Sequence, residues 1–321
     1  MQPSQLHAID VLLTENELAD GFLAALRQRY LAEKFFYWFP LSVKAWLELC
    51  QGEQPYKNFS RSYQLVARHA GGLAGRWQGG RLEVVSLGAG QGDKDILLLQ
   101  ALAARGVSLT YRPVDSSQAL LEMAVRRAAD AGLAVRGLKA DVAEPRTAQA
   151  LAASATEPRL YLILGNSLGV IDPEEFLGAL RHLLRPEDHV LVDGEIFDAR
   201  DTLVGYDNPV NRRFAFAPLA SLGLEDGRDG ALVFSTESDS NREGLYRVNK
   251  HFRAARRLEI PVAGYSLTVQ AEEKISMNCS YKYSRSSFLR LVQETGGVEV
   301  FEQYLSDDER FLLVLAAPAA Q

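Results

Sequence analysis

From Arg81 onward, short apolar runs alternate with stretches of helical spacing. Val84-Val85-Ser86-Leu87 predicts a first strand and Asp95 to Leu102 a helix. Ser108 to Val114 predicts a second strand ending at Asp115-Ser116-Ser117, with a helix from Gln118 to Ala131. Leu133 to Leu138 predicts a third, ending at Lys139-Ala140-Asp141, and Leu160 to Leu164 a fourth, breaking at Gly165-Asn166. A helix from Phe176 to Leu184 and a fifth strand, His189 to Val192, end the series at Asp193-Gly194-Glu195. Strands that are apolar throughout need cover on both faces, and helices between them supply it. The expected architecture is therefore α/β, with a parallel, doubly wound sheet.

The flanks read differently. Across residues 1–75, Leu12, Leu13, Leu18, Phe22, Leu23 and Leu26 fall at helical spacing, and Thr14 with Glu17 has the form of a capping box. An aromatic-rich stretch from Phe35 to Tyr63 follows, and core filling accounts for most of its rings. Ala70-Gly71-Gly72 and Trp77-Gln78-Gly79-Gly80 read as the bracket of a linker. In residues 198–284 the βα pattern stops. Alternation at Leu245, Arg247 and Asn249, and at Tyr265, Leu267 and Val269, predicts antiparallel strands. Beyond 285 a helix from Ser286 to Glu294 and strands from Val298 to Tyr304 and Arg310 to Ala316 resume. The expectation is one α/β domain from 76–197 and 285–321. A second lobe, α+β in character, comes from 1–75 and 198–284 and is expected over the carboxyl ends of the strands.

The first strand runs into Gly88-Ala89-Gly90-Gln91-Gly92. Glycine there permits a sharp turn and close approach of a ligand. A dinucleotide site asks for G-x-G-x-x-G, and the third glycine position here is Asp93. The G-x-G-x-G spacing instead resembles S-adenosylmethionine (SAM) methyltransferases, whose ligand carries no phosphate. That likeness points to Gly88 and Gly90 as cofactor-binding residues and disfavours a NAD-dependent oxidoreductase. Asp115 and Asp141 end successive strands. A carboxylate at the first edge can accept from both ribose hydroxyls, and one at the second from an adenine amino group. Ser116 and Val142 adjoin them. Each acid alone is an ordinary turn residue; together, after this turn, they favour a nucleoside.

Among 321 residues, 47% are hydrophobic and the net charge is -6. An acidic chain lacks the basic face that nucleic acid calls for. The first residues lack a charged-then-apolar signal, and no apolar run is long enough to span a membrane, so a cytoplasmic protein without a membrane partner is expected. Two cysteines, Cys50 and Cys279, and five scattered histidines give no metal site.

In the same order along nearly the whole chain, further motifs resemble the SAM-dependent histidine-specific methyltransferase family, which includes the histidine Nα-methyltransferases of ergothioneine biosynthesis and is related to the fungal dimethylallyltryptophan N-methyltransferases. Lys34 to Cys50 resembles that family's KFFYDxxGSxLFxxI, and Tyr56 falls on its EYYPTR. Leu87 to Gly90 with Lys94 resembles LGSGxxxK, Pro113 to Ser117 PVDVS, and Asp141 the aspartate of GDF. Leu164 to Gly169 resembles LGSTIGN, Tyr206-Asp207 the end of AYD, and Ser280 to Tyr283 the end of TExSxKY. The resemblance implies a class I, Rossmann-like SAM fold. It implies SAM held by Gly88, Gly90, Lys94, Asp115, Ser116, Asp141, Val142 and Asn166. It implies a small amine acceptor held by Tyr56, Val170, Asn278 and Ser280, with Tyr206 orienting the amine. The departures fall on the acceptor side: Asn278 replaces the glutamate of TExS, Val170 the last asparagine of LGSTIGN, and Asn58-Phe59 the TR of EYYPTR. An imidazole would be underpaired in such a site, so an acceptor other than histidine is expected. The alternative is a SAM-binding regulatory protein without turnover. The number of methyl groups added and the oligomeric state stay open.

Overall fold

The computed structural model describes residues 8–51, 57–262 and 264–319. Among these, the strands in chain order are β1 (Ile9–Val11), β2 (Arg81–Leu87), β3 (Ser108–Asp115), β4 (Ala134–Val135), β5 (Gly137–Lys139), β6 (Arg159–Ile163) and β7 (His189–Glu195). Then follow β8 (Gly230–Ser238), β9 (Leu245–Ala254), β10 (Leu258–Val262), β11 (Tyr265–Val269), β12 (Lys274–Tyr283), β13 (Val298–Leu305) and β14 (Phe311–Pro318). The chain divides into two compact units: residues 8–12, 58–196 and 285–319 form the first, residues 13–51 and 197–284 the second.

The first unit is built on a sheet of order β1-β5-β3-β2-β6-β7-β14-β13, with β4 beside β3. Its strands are parallel except β14, which runs antiparallel to both β7 and β13. The chain winds outward from β2 through β3 to β5, then returns to β6 on the other side of β2. The order reverses there, which opens a crevice at the carboxyl ends of β2 and β6. Burial explains the apolar runs: Leu82 to Leu87, all of β6 and all of β7 after His189 are buried. On one face, Leu65, Val66 and Leu73 pack with Leu98, Leu99 and Leu102 over Val84, Leu162, Leu191 and Leu313.

Several expectations change. The sequence pattern places residues up to 75 in the helical lobe, but the helix Asn58–Leu73 belongs to the first unit. Gly71 and Gly72 lie inside that helix, exposed, rather than in a linker. β1 falls in a stretch whose pattern predicts helix. Three residues carry too little periodicity to declare a strand, and its partner, Gly137 to Lys139, is remote in sequence. The third strand is two short pieces interrupted at Arg136, whose side chain pairs with Asp10 at 2.8 Å. Gly137 sits where a Cβ would come within 2.9 Å of Val125 and 3.1 Å of Ile9. A helix at Pro145–Ala153 was not anticipated.

In the second unit β8, β9 and β12 form an antiparallel sheet, and β10 pairs with β11 as a hairpin. Its core joins Leu18, Phe22 and Leu26, Phe35 and Phe36, Phe214 and Leu219 to Val248, Phe252, Ile275 and Met277. The aromatic stretch fills this core as expected: Phe22 meets Phe35 edge-on at 5.3 Å between ring centroids. The capping box is present, with Glu17 donating its backbone N–H to the Thr14 hydroxyl at 3.2 Å. Two helices that the sequence reading did not foresee, Asp201–Tyr206 and Pro209–Ala220, precede the strands.

Candidate functional site

The turn after β2 is held by β3. Gly88 and Ala89 donate their backbone N–H groups to the Val114 carbonyl at 2.9 and 3.1 Å, and Gly90 donates to the Asp115 carboxylate at 2.8 Å. All three motif glycines have positive φ, +77° at Gly88, +56° at Gly90 and +77° at Gly92, where side chains are strained. They differ in surroundings. A Cβ at Gly88 would meet the Ser167 hydroxyl at 2.9 Å, so the turns after β2 and β6 touch there. A Cβ at Gly92 would meet Ala124 at 3.1 Å, so this glycine serves helix packing. A Cβ at Gly90 would meet nothing within 4 Å. Space above that turn is open, as a ligand lying against backbone requires.

Asp115 also accepts the N–H of Ser117 at 2.9 Å. Burial raises its carboxyl to about 6, against the backbone donors of Ser117, Gly90 and Ser116, while the negative charge of Asp141 pushes further up. A carboxylate has roughly four acceptor positions; Gly90 and Ser117 take one on each oxygen, and with Ser116 also donating at least one position is left for a ligand hydroxyl. A carboxylate with an acceptor position left, beside an open turn, fits a ribose hydroxyl. Asp141, partly exposed, accepts the Ala143 N–H at 3.0 Å and so shapes its own turn, with Val142 inside it.

Asp93 opens the helix and forms an ion pair with Arg127. Lys94 does not stay beside Gly90. Its Nζ lies 4.5 Å from the Phe59 ring centroid, and a Cβ at Gly165 would meet that Nζ at 2.9 Å. It therefore spans from the β2 turn to the β6 end.

At the β6 end Asn166 is strained, with φ +65°. The backbone N–H groups of Gly165 and Asn166 donate to Asp193 at 2.9 and 2.8 Å, and the Ser62 hydroxyl donates to the same carboxylate. Asn166 Oδ1 accepts the Glu195 N–H at 3.2 Å, and Asn58 donates to the Glu195 carboxylate. Asn166 Nδ2 is buried and has no hydrogen-bond partner among the described residues, and the amide packs over Gly169, where a Cβ would collide with it. Burial pushes the Asp193 carboxyl upward, against the pull of Ser62, the two N–H groups and Lys94. Val170 ends the short turn that follows, partly exposed. Sequence reasoning missed Asp193, Glu195, Asn58 and Ser62. Two acids inside an otherwise apolar strand end were the available signal.

In the second unit the structure brings Tyr206 and Ser280 together, with the two hydroxyls 3.2 Å apart and both residues buried. Lys282, fully buried, donates to the Ser280 hydroxyl at 2.9 Å and sits 4.9 Å from the Tyr206 ring centroid. Asn278, on the same strand, donates to Glu33 and accepts the Tyr30 hydroxyl at 3.5 Å. Glu33 and Tyr30 were not anticipated, since nothing in their spacing ties them to position 278. Tyr56 lies outside the described residues.

Among the described residues there is no group of three His, Cys, Asp or Glu placed to hold a metal, and no helix long and apolar enough to cross a membrane.

A sequence family described as histidine-specific, SAM-dependent methyltransferases matches residues 15–318. The chain belongs to this family. Its cofactor class is therefore SAM, on the α/β frame described above. A curated family relative, the histidine N-alpha-methyltransferase of Mycobacterium tuberculosis (strain CDC 1551 / Oshkosh), is 28% identical over 214 residues. That match spans 62% of this chain and 64% of the relative, just under two thirds of its length. Among solved structures, an S-adenosylmethionine-dependent methyltransferase from Clostridium acetobutylicum ATCC 824 aligns with TM-score 0.44 and 11% identity, over 87% of this chain and 98% of that one. The PH0226 protein from Pyrococcus horikoshii OT3 aligns with TM-score 0.45 and 11% identity, over 88% and 100%.

Proposed function

We propose that the protein is a SAM-dependent N-methyltransferase acting on the amino group of a small amino-acid-like acceptor other than histidine. In this reading Gly88, Gly90, Lys94, Asp115, Ser116, Asp141, Val142 and Asn166 hold the donor. Asp115 takes the ribose hydroxyls, and the open turn at Gly90 accommodates the ligand. When bound, SAM supplies a methyl group activated on a sulfonium. The protein has little acid–base work to do: the amine must arrive neutral and aligned, and positioning supplies most of the rate. Tyr206 and Ser280 are the groups proposed to orient the acceptor, with Asn278 near them on the same strand as Ser280.

The observation that carries the specificity is Asn278. It is buried, and its amide stands where the resembling motif has a carboxylate. One observation favours a second reading, histidine itself. The Glu33 carboxylate is bonded to Asn278, so an acid does stand beside that position from another element, and the family's description names histidine. Mass spectrometry of amino acids incubated with the protein and SAM separates the two. Added methyl groups on other amino acids, with histidine poor, support the proposal. Efficient histidine methylation overturns the specificity. Tight SAM binding with no amine methylated favours a regulatory role.

A further inference from the structure

The core-facing positions of β9 are Val248, Lys250, Phe252 and Ala254. Three belong to the apolar core of the second unit. The fourth is a lysine only 6% exposed. Its Nζ lies 5.4 Å from the Phe36 ring centroid, and among the described residues it makes no ion pair or hydrogen bond. A lysine stem packed in an apolar core, with no anion at its ammonium, gives up part of its hydration, and a ring face returns part of that cost. A local rule broken without compensation marks a functional position.

The strand opposite is bulged at this point. Ser276 pairs with His251 and Cys279 with Asn249, so both Met277 and Asn278 stand against Lys250. Asn278 adopts φ +60° to do so. Bulges of this kind re-aim side chains beside sites. Ser280 is paired with Val248 and Lys282 with Tyr246, so both lie on the Lys250 face of the sheet. The neighbouring carboxylate is already engaged: Glu33 accepts from Asn278 with one oxygen and from the Tyr37 hydroxyl, at 2.8 Å, with the other. Phe36, whose ring Lys250 overlies, ends the same short helical turn that Glu33 begins.

We propose that Lys250 reads a negatively charged group on the side chain of the methyl acceptor, so that the substrate class is amino acids with an acidic side chain. This rests on the acceptor site proposed at Tyr206 and Ser280. The acceptor's carboxylate completes the ion pair that the fold leaves open, on the same sheet face as Ser280 and two residues along β9 from its partner Val248.

The test compares kcat/KM for glutamate and aspartate against glutamine, asparagine and histidine, with SAM, in the full chain and in Lys250→Met. The expected result is a preference for the acid over its amide of about tenfold or more, and its collapse in the variant. A thermal midpoint raised by Lys250→Met is expected as well, because an unpaired buried charge is removed. Lys250→Gln serves if the first variant folds poorly. No methylation of either acid, or an unchanged acid-to-amide ratio in both variants, overturns the inference. Tyr206→Phe and Ser280→Ala separate the two levels. If they leave every acceptor unaffected, the acceptor site itself is wrong; if they weaken all acceptors while the ratio ignores Lys250, only this inference fails.

Discussion

The Asp115 carboxylate accepts the Gly90 backbone N–H at 2.8 Å, so the end of one strand and the glycine turn of its neighbour form a single piece. The acid does two jobs in the proposed site: it shapes the turn and presents its remaining lone pairs to a ligand. Removing it is expected to loosen both.

The pH dependence follows from burial of this group. Its folded-state value of about 6 lies above the ordinary 3.8. The native state therefore holds the proton more tightly, and this contribution to stability, present below about pH 4, is lost as pH rises through 6. At about 1.4 kcal/mol per unit, the loss amounts to roughly 3 kcal/mol. Asp115→Asn is expected to flatten that part of the stability profile, measured by urea unfolding at pH 4 to 7.5. Binding of a ribose diol selects the ionised form, so the thermal upshift from S-adenosylhomocysteine should shrink below pH 6. An upshift equal at pH 5 and 7.5 would remove Asp115 from the donor site.

Gly88→Ala adds a left-handed backbone penalty of about 1–2 kcal/mol and a contact with the Ser167 hydroxyl, at 2.9 Å before relaxation. Overpacking of this kind costs about 1–3 kcal/mol. The unfolding midpoint is expected to fall, and SAM affinity with it. Adding Ser167→Gly should recover the contact part and leave the backbone part, read as a double-mutant cycle. Full additivity would show that the two turns are not coupled.

Asn58 and Glu195 are both buried and bonded to each other. Asn58→Ala removes a donor to a buried carboxylate, at a cost of about 1–3 kcal/mol. Chemical denaturation of Asn58→Ala, Glu195→Gln and the pair measures it. A double variant less destabilised than the sum of the singles is the expected sign of direct interaction.

Tyr206→Phe deletes the hydroxyl 3.2 Å from Ser280. Loss of one orienting hydrogen bond of about 1.5–3 kcal/mol corresponds to a roughly ten- to hundredfold fall in kcat/KM for the acceptor. SAM affinity is expected to hold, since the proposal assigns the residue to the acceptor's site. A fall in SAM affinity with acceptor kinetics intact would reverse the assignment.

The alternation of buried strands and helices, the glycine turn and the strand-end acids are local patterns, and the sequence alone determined them. Apolar runs such as Val84 to Leu87 carry their burial in their composition, and turn residues carry their backbone preference. Tertiary structure decided the rest. Asn58–Leu73 is an amphipathic helix that fits either unit by its own pattern; only packing against Leu98 and Leu102 assigns it to the sheet. Ile9–Val11 becomes a strand only because Gly137 to Lys139 offers an edge. Lys250 keeps strand alternation in its neighbours, yet its unpaired burial emerges only once Phe36 and the bulge at Asn278 stand against it. Local sequence encodes φ, ψ and burial preference residue by residue. Which remote groups share a cavity depends on long-range pairing and packing, which no window of the chain contains.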